Sequence, residues 1–328
     1  MKRRHGILSA VLALPLTAAL MSGCATLPSR RGAADIAGLL PEDAFVYLRV
    51  EPTAQSAALW SSLLASAGRG ELPAEDFARL LERMDRVFAA ATAATEAGGK
   101  ASLDLAAVGS FPSSVIELNL GRSDQWAKVR VPRSSRRSWR TPRTYWASEE
   151  LGVEMCLPDR HLLLLSTTAV LAMIERYGGE GETDTSADGE VPDTGDAAPR
   201  LPQRMLADSA PELMAYFPDF QSERMERLLG RGLPVRSLLL EAVRIDQGVE
   251  LRGEFVLERE ESAKAFDMAL RFVLLYLMKQ GDIQGGVKRL GSLSIEQEGT
   301  TIRLAGLRLT DQEIAALLTV FLAGGMRG

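Results

Sequence analysis

The densest chemical signal in the chain is a run of guanidinium groups. Arg130, Arg133, Arg136, Arg137, Arg140 and Arg143 fall within one short segment that contains no acid, with Trp139 inside it and Trp126, Tyr145 and Trp146 beside it. A guanidinium presents a planar fork of N–H donors that pairs bidentately with carboxylate or phosphate, and flat aromatic rings offer stacking faces. The segment therefore reads as a ligand or partner surface made by the six arginines with Trp139 and Trp146. Anionic lipid headgroups, phosphorylated glycolipid or an acidic protein fit that chemistry. The plainer reading is a solvated hairpin loop whose arginines keep an exposed sheet edge soluble.

Other reactive types are scarce. The chain has two histidines and two cysteines, too few to build a zinc, haem or iron–sulfur site. Cys156 and His161 lie close in sequence, but lone residues of these types beside a strand usually serve packing. No nucleophile elbow, phosphate-binding glycine loop, paired-histidine zinc helix or S-x-x-K motif occurs. Asp184, Ser186, Asp188 and Gly189 match the opening of a calcium loop, yet Gly195 stands where the bidentate glutamate belongs. We therefore expect no catalytic residue, no metal and no cofactor, and rank an unrecognised enzyme as the last of three functional readings.

One cysteine has a chemical future of its own. Lys2, Arg3 and Arg4 form a positive n-region, Ile7 to Leu20 an apolar stretch of 14 residues, and Ser22-Gly23 a small-residue cleavage point. That is a secretory signal, shorter than the roughly 20 apolar residues a bilayer core requires. Met21-Ser22-Gly23-Cys24 resembles the lipobox of bacterial lipoproteins, with methionine in the place usually held by leucine. The resemblance covers only the signal region. It implies cleavage before Cys24 and a mature N-terminus carrying two or three acyl chains. At about 0.8 kcal/mol per buried methylene, such an anchor holds without a spanning helix. Ala25, not aspartate, follows the cysteine, which favours the periplasmic face of the outer membrane where the organism has two membranes.

Loss of residues 1–23 removes three positive charges and leaves 35 Lys+Arg against 43 Asp+Glu, a net of −8. Such a balance argues against nucleic acid, whose partners carry a positive footprint. At 46% hydrophobic and 25% charged residues the chain is an ordinary folding sequence.

Positioning the arginines requires a folded body. Residues 24–37 read as a tether, and residues 178–200 as an acidic disordered linker that cannot repay its ordering entropy. Between and beyond them lie an N-terminal half at 38–177 and a C-terminal half at 201–328. Strands are expected at 44–50, 115–131, 144–165, 212–217, 249–257 and 291–309. The run Leu162 to Leu165 suits a central strand covered on both faces. Three tripeptides, Glu150-Leu151-Gly152, Asp246-Gln247-Gly248 and Gln297-Glu298-Gly299, sit between alternating runs, where a terminal glycine suits a hairpin needing positive φ. Helical spacing is clearest at 73–97 and recurs at 53–67, 168–177, 221–230, 261–279 and 311–323. Strands gathered in hairpins predict an α+β class: antiparallel sheets with helices packed on one side, in a pattern of two related halves.

Three functions follow in order. A lipid-anchored, non-catalytic binding or structural module of the bacterial envelope comes first. A carrier of lipid or another hydrophobic ligand, using apolar helices 261–279 and 311–323, comes second. An enzyme comes third.

Overall fold

The computed structural model describes residues 32–52, 83–92, 102–135, 141–150, 152–179, 200–207, 211–219, 235–246, 248–280, 293–310 and 313. Two compact units emerge, Met1–Ala44 with Glu71–Asp208 and Phe45–Gly70 with Ser209–Gly328. In chain order the strands are β1 (Val46–Val50), β2 (Met84–Thr92), β3 (Ser102–Gly109), β4 (Ala127–Arg130), β5 (Thr144–Ser148), β6 (Val153–Asp159), β7 (Leu162–Ser166), β8 (Leu213–Phe217), β9 (Val235–Ile245), β10 (Gly248–Leu257), β11 (Ser294–Glu298) and β12 (Thr301–Leu309). The helices are α1 (Ala33–Ala37), α2 (Ser113–Arg122), α3 (Val170–Gly179), α4 (Gln203–Leu206) and α5 (Ala263–Gln280).

The first unit holds the order β2-β3-β7-β6-β5-β4, antiparallel throughout. Leu162 to Leu165 lie in β7 and are buried on both faces, as their unbroken apolar run predicts. A strand with cover on both sides loses the polar alternation that one wet face would impose. α3 begins just beyond β7. Ser166 Oγ accepts from the amides of Thr168 (3.1 Å) and Ala169 (3.0 Å), and Glu154 Oε2 from that of Val170 (2.8 Å). These bonds satisfy donors that a helix start leaves without intrahelical partners.

The second unit holds the order β1-β8-β9-β10-β12-β11, again antiparallel. In β10, Val249, Phe255 and Leu257 are buried, while Glu250, Arg252 and Glu254 stand on the opposite face. α5 packs Ala263, Phe266, Leu270 and Met278 onto the apolar face, where the rings of Phe255 and Phe266 meet at 5.0 Å. The other face carries charge. Arg303 bonds Glu254 (3.3 Å) and Glu298 (2.8 Å), Arg252 bonds Glu250 (2.8 Å), and Arg49 bonds Glu51. The predicted hairpin glycines all take positive φ: Gly152 at 63°, Gly248 at 126° and Gly299 at 57°.

The chain thus has the expected α+β fold, and several local expectations are corrected. Residues 84–92, inside the expected helix 73–97, form strand β2. Its Val87-Phe88-Ala89-Ala90 run is buried, and four apolar residues in succession satisfy a helical stripe as readily as an inner strand. Residues 115–122 of the expected strand 115–131 belong instead to α2: Ile116 and Leu120, four apart, are buried, and Leu118 between them is 53% exposed. Residues 33–37 of the expected tether are helical, with Ala33, Ile36 and Ala37 buried. The unit boundaries also differ from 38–177 and 201–328, because Phe45–Gly70 groups with the second unit and β1 pairs with β8. The acidic segment 180–199, the helices expected at 53–67 and 221–230, and nearly all of 311–323 lie outside the described residues, as do residues 1–31 with Cys24.

Candidate functional site: the arginine hairpin

The arginine run spans the connection between β4 and β5. Ala127 stands opposite Ala147, Lys128 opposite Trp146, Val129 opposite Tyr145 and Arg130 opposite Thr144. The Val131 amide donates to the Arg143 carbonyl at 3.0 Å, so the ladder continues one pair past Arg130. A short 3-10 turn, Arg133–Ser135, follows, closed by the Ser135 amide on the Pro132 carbonyl at 3.2 Å, and Ser135 is buried. Thr141 is buried where the chain re-enters.

This framework leaves Arg130, Arg133 and Arg143 exposed around one loop. Arg136, Arg137, Trp139 and Arg140 lie outside the described residues. Trp146 is not a stacking platform in the open: it is 7% exposed, packed within the sheet. Lys128 Nζ sits 5.2 Å from its ring centroid and 2.8 Å from Glu117 Oε2 on α2. A cation over an indole face is attracted by the ring quadrupole. Trp146 thus serves to hold Lys128, a residue the sequence reading passed over. Trp126 is buried too, and its Nε1 has no acceptor.

The remaining reactive groups are engaged elsewhere. The Cys156 thiol is buried and pushed up to about 12, first by burial and then by the charge of Glu117, so it stays protonated at neutral pH. His161 has Nδ1 3.1 Å from the Gly109 carbonyl oxygen, and Arg160 Nε donates to its Nε2 at 3.0 Å. Among the described residues no group of three or more His, Cys, Asp or Glu is arranged to hold a metal ion.

A cross-strand row with two buried polar members, Asp104 and Ser166, went unrecognised in the sequence. Ala90, Asp104, Ser166 and Glu154 face one another across β2, β3, β7 and β6. Ser102 donates to Asp104 at 3.3 Å and is itself bonded to Thr92. Burial raises the Asp104 carboxyl above its usual range, against opposing hydrogen bonds from Ser166 and Ser102 and the charge of Arg176. A carboxylate set in Leu103-Asp104-Leu105-Ala106-Ala107 was the available signal, since a strand rarely spends a core position on a charge without partners.

With the strand orders and the basic loop in view, comparison with known proteins adds the fold class. The architecture is that of an α+β protein built on antiparallel sheet, and solved structures share it. The chain is similar to TP0453 in crystal form III, with a TM-score of 0.57 at 16% identity, covering 90% of this chain and 99% of that one. Crystal form I gives 0.56 at 17% identity and form IV 0.57 at 15%, each covering 87% of this chain and 97% of the other. No protein-family model and no curated protein matches the sequence. At such identity the likeness is one of fold.

Proposed function

We propose that this protein is a lipid-anchored, non-catalytic binding module of the bacterial envelope, tethered through Cys24 and meeting an anionic partner at the arginine hairpin. The supporting observation is the exposure of Arg130, Arg133 and Arg143 around one loop of a chain whose mature net charge is −8. Structural likeness to TP0453 over nine-tenths of the chain is compatible with this reading through fold alone. Among the described residues no helix is long and apolar enough to cross a membrane, so attachment in this reading falls to the acyl chains. Changing Arg133, Arg136, Arg137 and Arg140 together to Ser is expected to weaken sedimentation with anionic liposomes or capture from envelope extract severalfold. Unchanged binding would return the segment to a solvated loop.

A second reading has its own observation. Met268 and Phe272, one turn apart on α5, are 63% and 65% exposed. Exposed apolar side chains at that spacing suit a hydrophobic ligand. Native mass spectrometry of the unacylated protein would then show co-purified lipid, lost on Met268→Ser/Phe272→Ser; a lipid-free spectrum contradicts it.

A further inference from the structure

We infer that the edge of β4 that carries no further strand among the described residues accepts an added strand from an acidic, extended peptide of another protein, a step that rests on the reading of the arginine hairpin as a contact surface. In the first unit's order β4 comes last, with β5 as its one partner among the described residues. Its backbone is set for strand addition. In an antiparallel ladder, residues alternate between exchanging N–H···O bonds with the partner strand and turning both groups away from it. Val131 bonds Arg143, and the register is unbroken from 127 to 130, so Ala127 and Val129 share its phase. Lys128 and Arg130 therefore direct their N–H and C=O groups outward. Neither proline nor bulge interrupts residues 127–130, and Ala127, Lys128 and Arg130 are exposed.

Side-chain chemistry then selects the guest. A residue directly opposite Arg130 on an incoming strand shares its face of the sheet, and opposite charges in such cross-strand pairs are favourable while like charges are not. Lys128 on the same face is already paired with Glu117, so Arg130 carries the charge selection. Positions between them face Ala127 and Val129. The edge thus asks for acids alternating with β-branched residues. Arg133 and Arg143, exposed beside the strand, extend the positive field toward the same guest. The like charges of Arg130, Arg133 and Arg143 disfavour pairing with the same edge of a second copy. Lipid is the weaker fit, because headgroups do not use a row of alternating backbone donors and acceptors. Strand addition does, and it draws affinity from main-chain bonds and specificity from alternate side chains.

The probe is a synthetic peptide alternating Glu with Val, compared with a peptide of equal composition in which the acids are blocked at one end. Hydrogen exchange of the full chain supplies the readout. At a free peptide concentration of about ten times Kd, exchange at the Lys128 and Arg130 amides should slow about tenfold, while Val129 and Val131, already facing β5, change little. Arg130→Gln should weaken binding severalfold, and Arg130→Pro should abolish it, since proline removes an outward N–H at a position where an edge strand tolerates it. Lys128→Pro repeats the test should Arg130→Pro loosen the fold. Equal binding by the blocked peptide, or by the proline and glutamine variants, overturns strand addition and leaves a basic surface without it. Binding of phosphatidylglycerol vesicles that displaces the peptide and ignores Arg130→Pro assigns the surface to lipid. Concentration-dependent self-association lost in Arg130→Pro assigns the edge to a second copy. Either outcome overturns the proposal. Peptide protection that persists while the arginine-to-serine variants leave liposome and extract binding unchanged would sink the broader reading alone.

Discussion

Asp104 shows how a single buried carboxyl sets a pH dependence. Burial raises its pKa in the folded protein above the ordinary carboxylate range. A raised folded value means that the native state binds this proton more tightly than the unfolded chain does. The group's contribution to stability is thus fully present below the unfolded value and is lost as pH rises through the folded one. Asp104→Asn, which keeps an acceptor for the serines, should therefore gain melting temperature relative to the parent at pH 7 and lose that gain toward pH 4. Thermal melts across this range check it, and a constant difference would show that the carboxyl titrates as it does unfolded. Trp146 teaches a related lesson. Its type and place beside the arginines were legible in the sequence, but the face it presents was not, because the β4–β5 register that turns it beneath Lys128 is set by pairing 18 residues away.

Secondary elements were legible where one periodicity had no rival. β10 alternates apolar and charged residues from Val249 to Phe255, with Gly253 in an apolar place, and the hairpin glycines mark their turns because only residues tolerant of positive φ close them. α2 was misread since Ile116, Leu118 and Leu120 fit a period of two, while the pair that is buried also fits a helical repeat. Substitution separates the two: Ile116→Ala should cost about 2–4 kcal/mol and Leu118→Ala under about 1 kcal/mol by denaturant unfolding, and equal costs would contradict the helix. The turns yield a second pair. Gly152→Ala meets nothing within 4 Å, so its cost is the backbone term alone, about 1–2 kcal/mol. At Gly248 a Cβ would lie 2.2 Å from the Leu309 carbonyl oxygen, so Gly248→Ala should cost more than Gly152→Ala in the same measurement.

For the whole molecule, the class was readable and the partition was not. Hairpins at 144–165 and 291–309 announce antiparallel sheet, whereas the pairing of β1 with β8 joins residues more than 160 positions apart, and no local pattern encodes it. In the proposed reading, where the folded body works turns on the chemistry of one N-terminal thiol. Intact mass spectrometry of the protein purified from its native membrane tests this most directly. The expected mature chain begins at Cys24 and carries a diacylglyceryl thioether, and Cys24→Ala moves the protein to the soluble fraction. A chain recovered with its leader intact and no lipid, in the soluble fraction, would contradict the account.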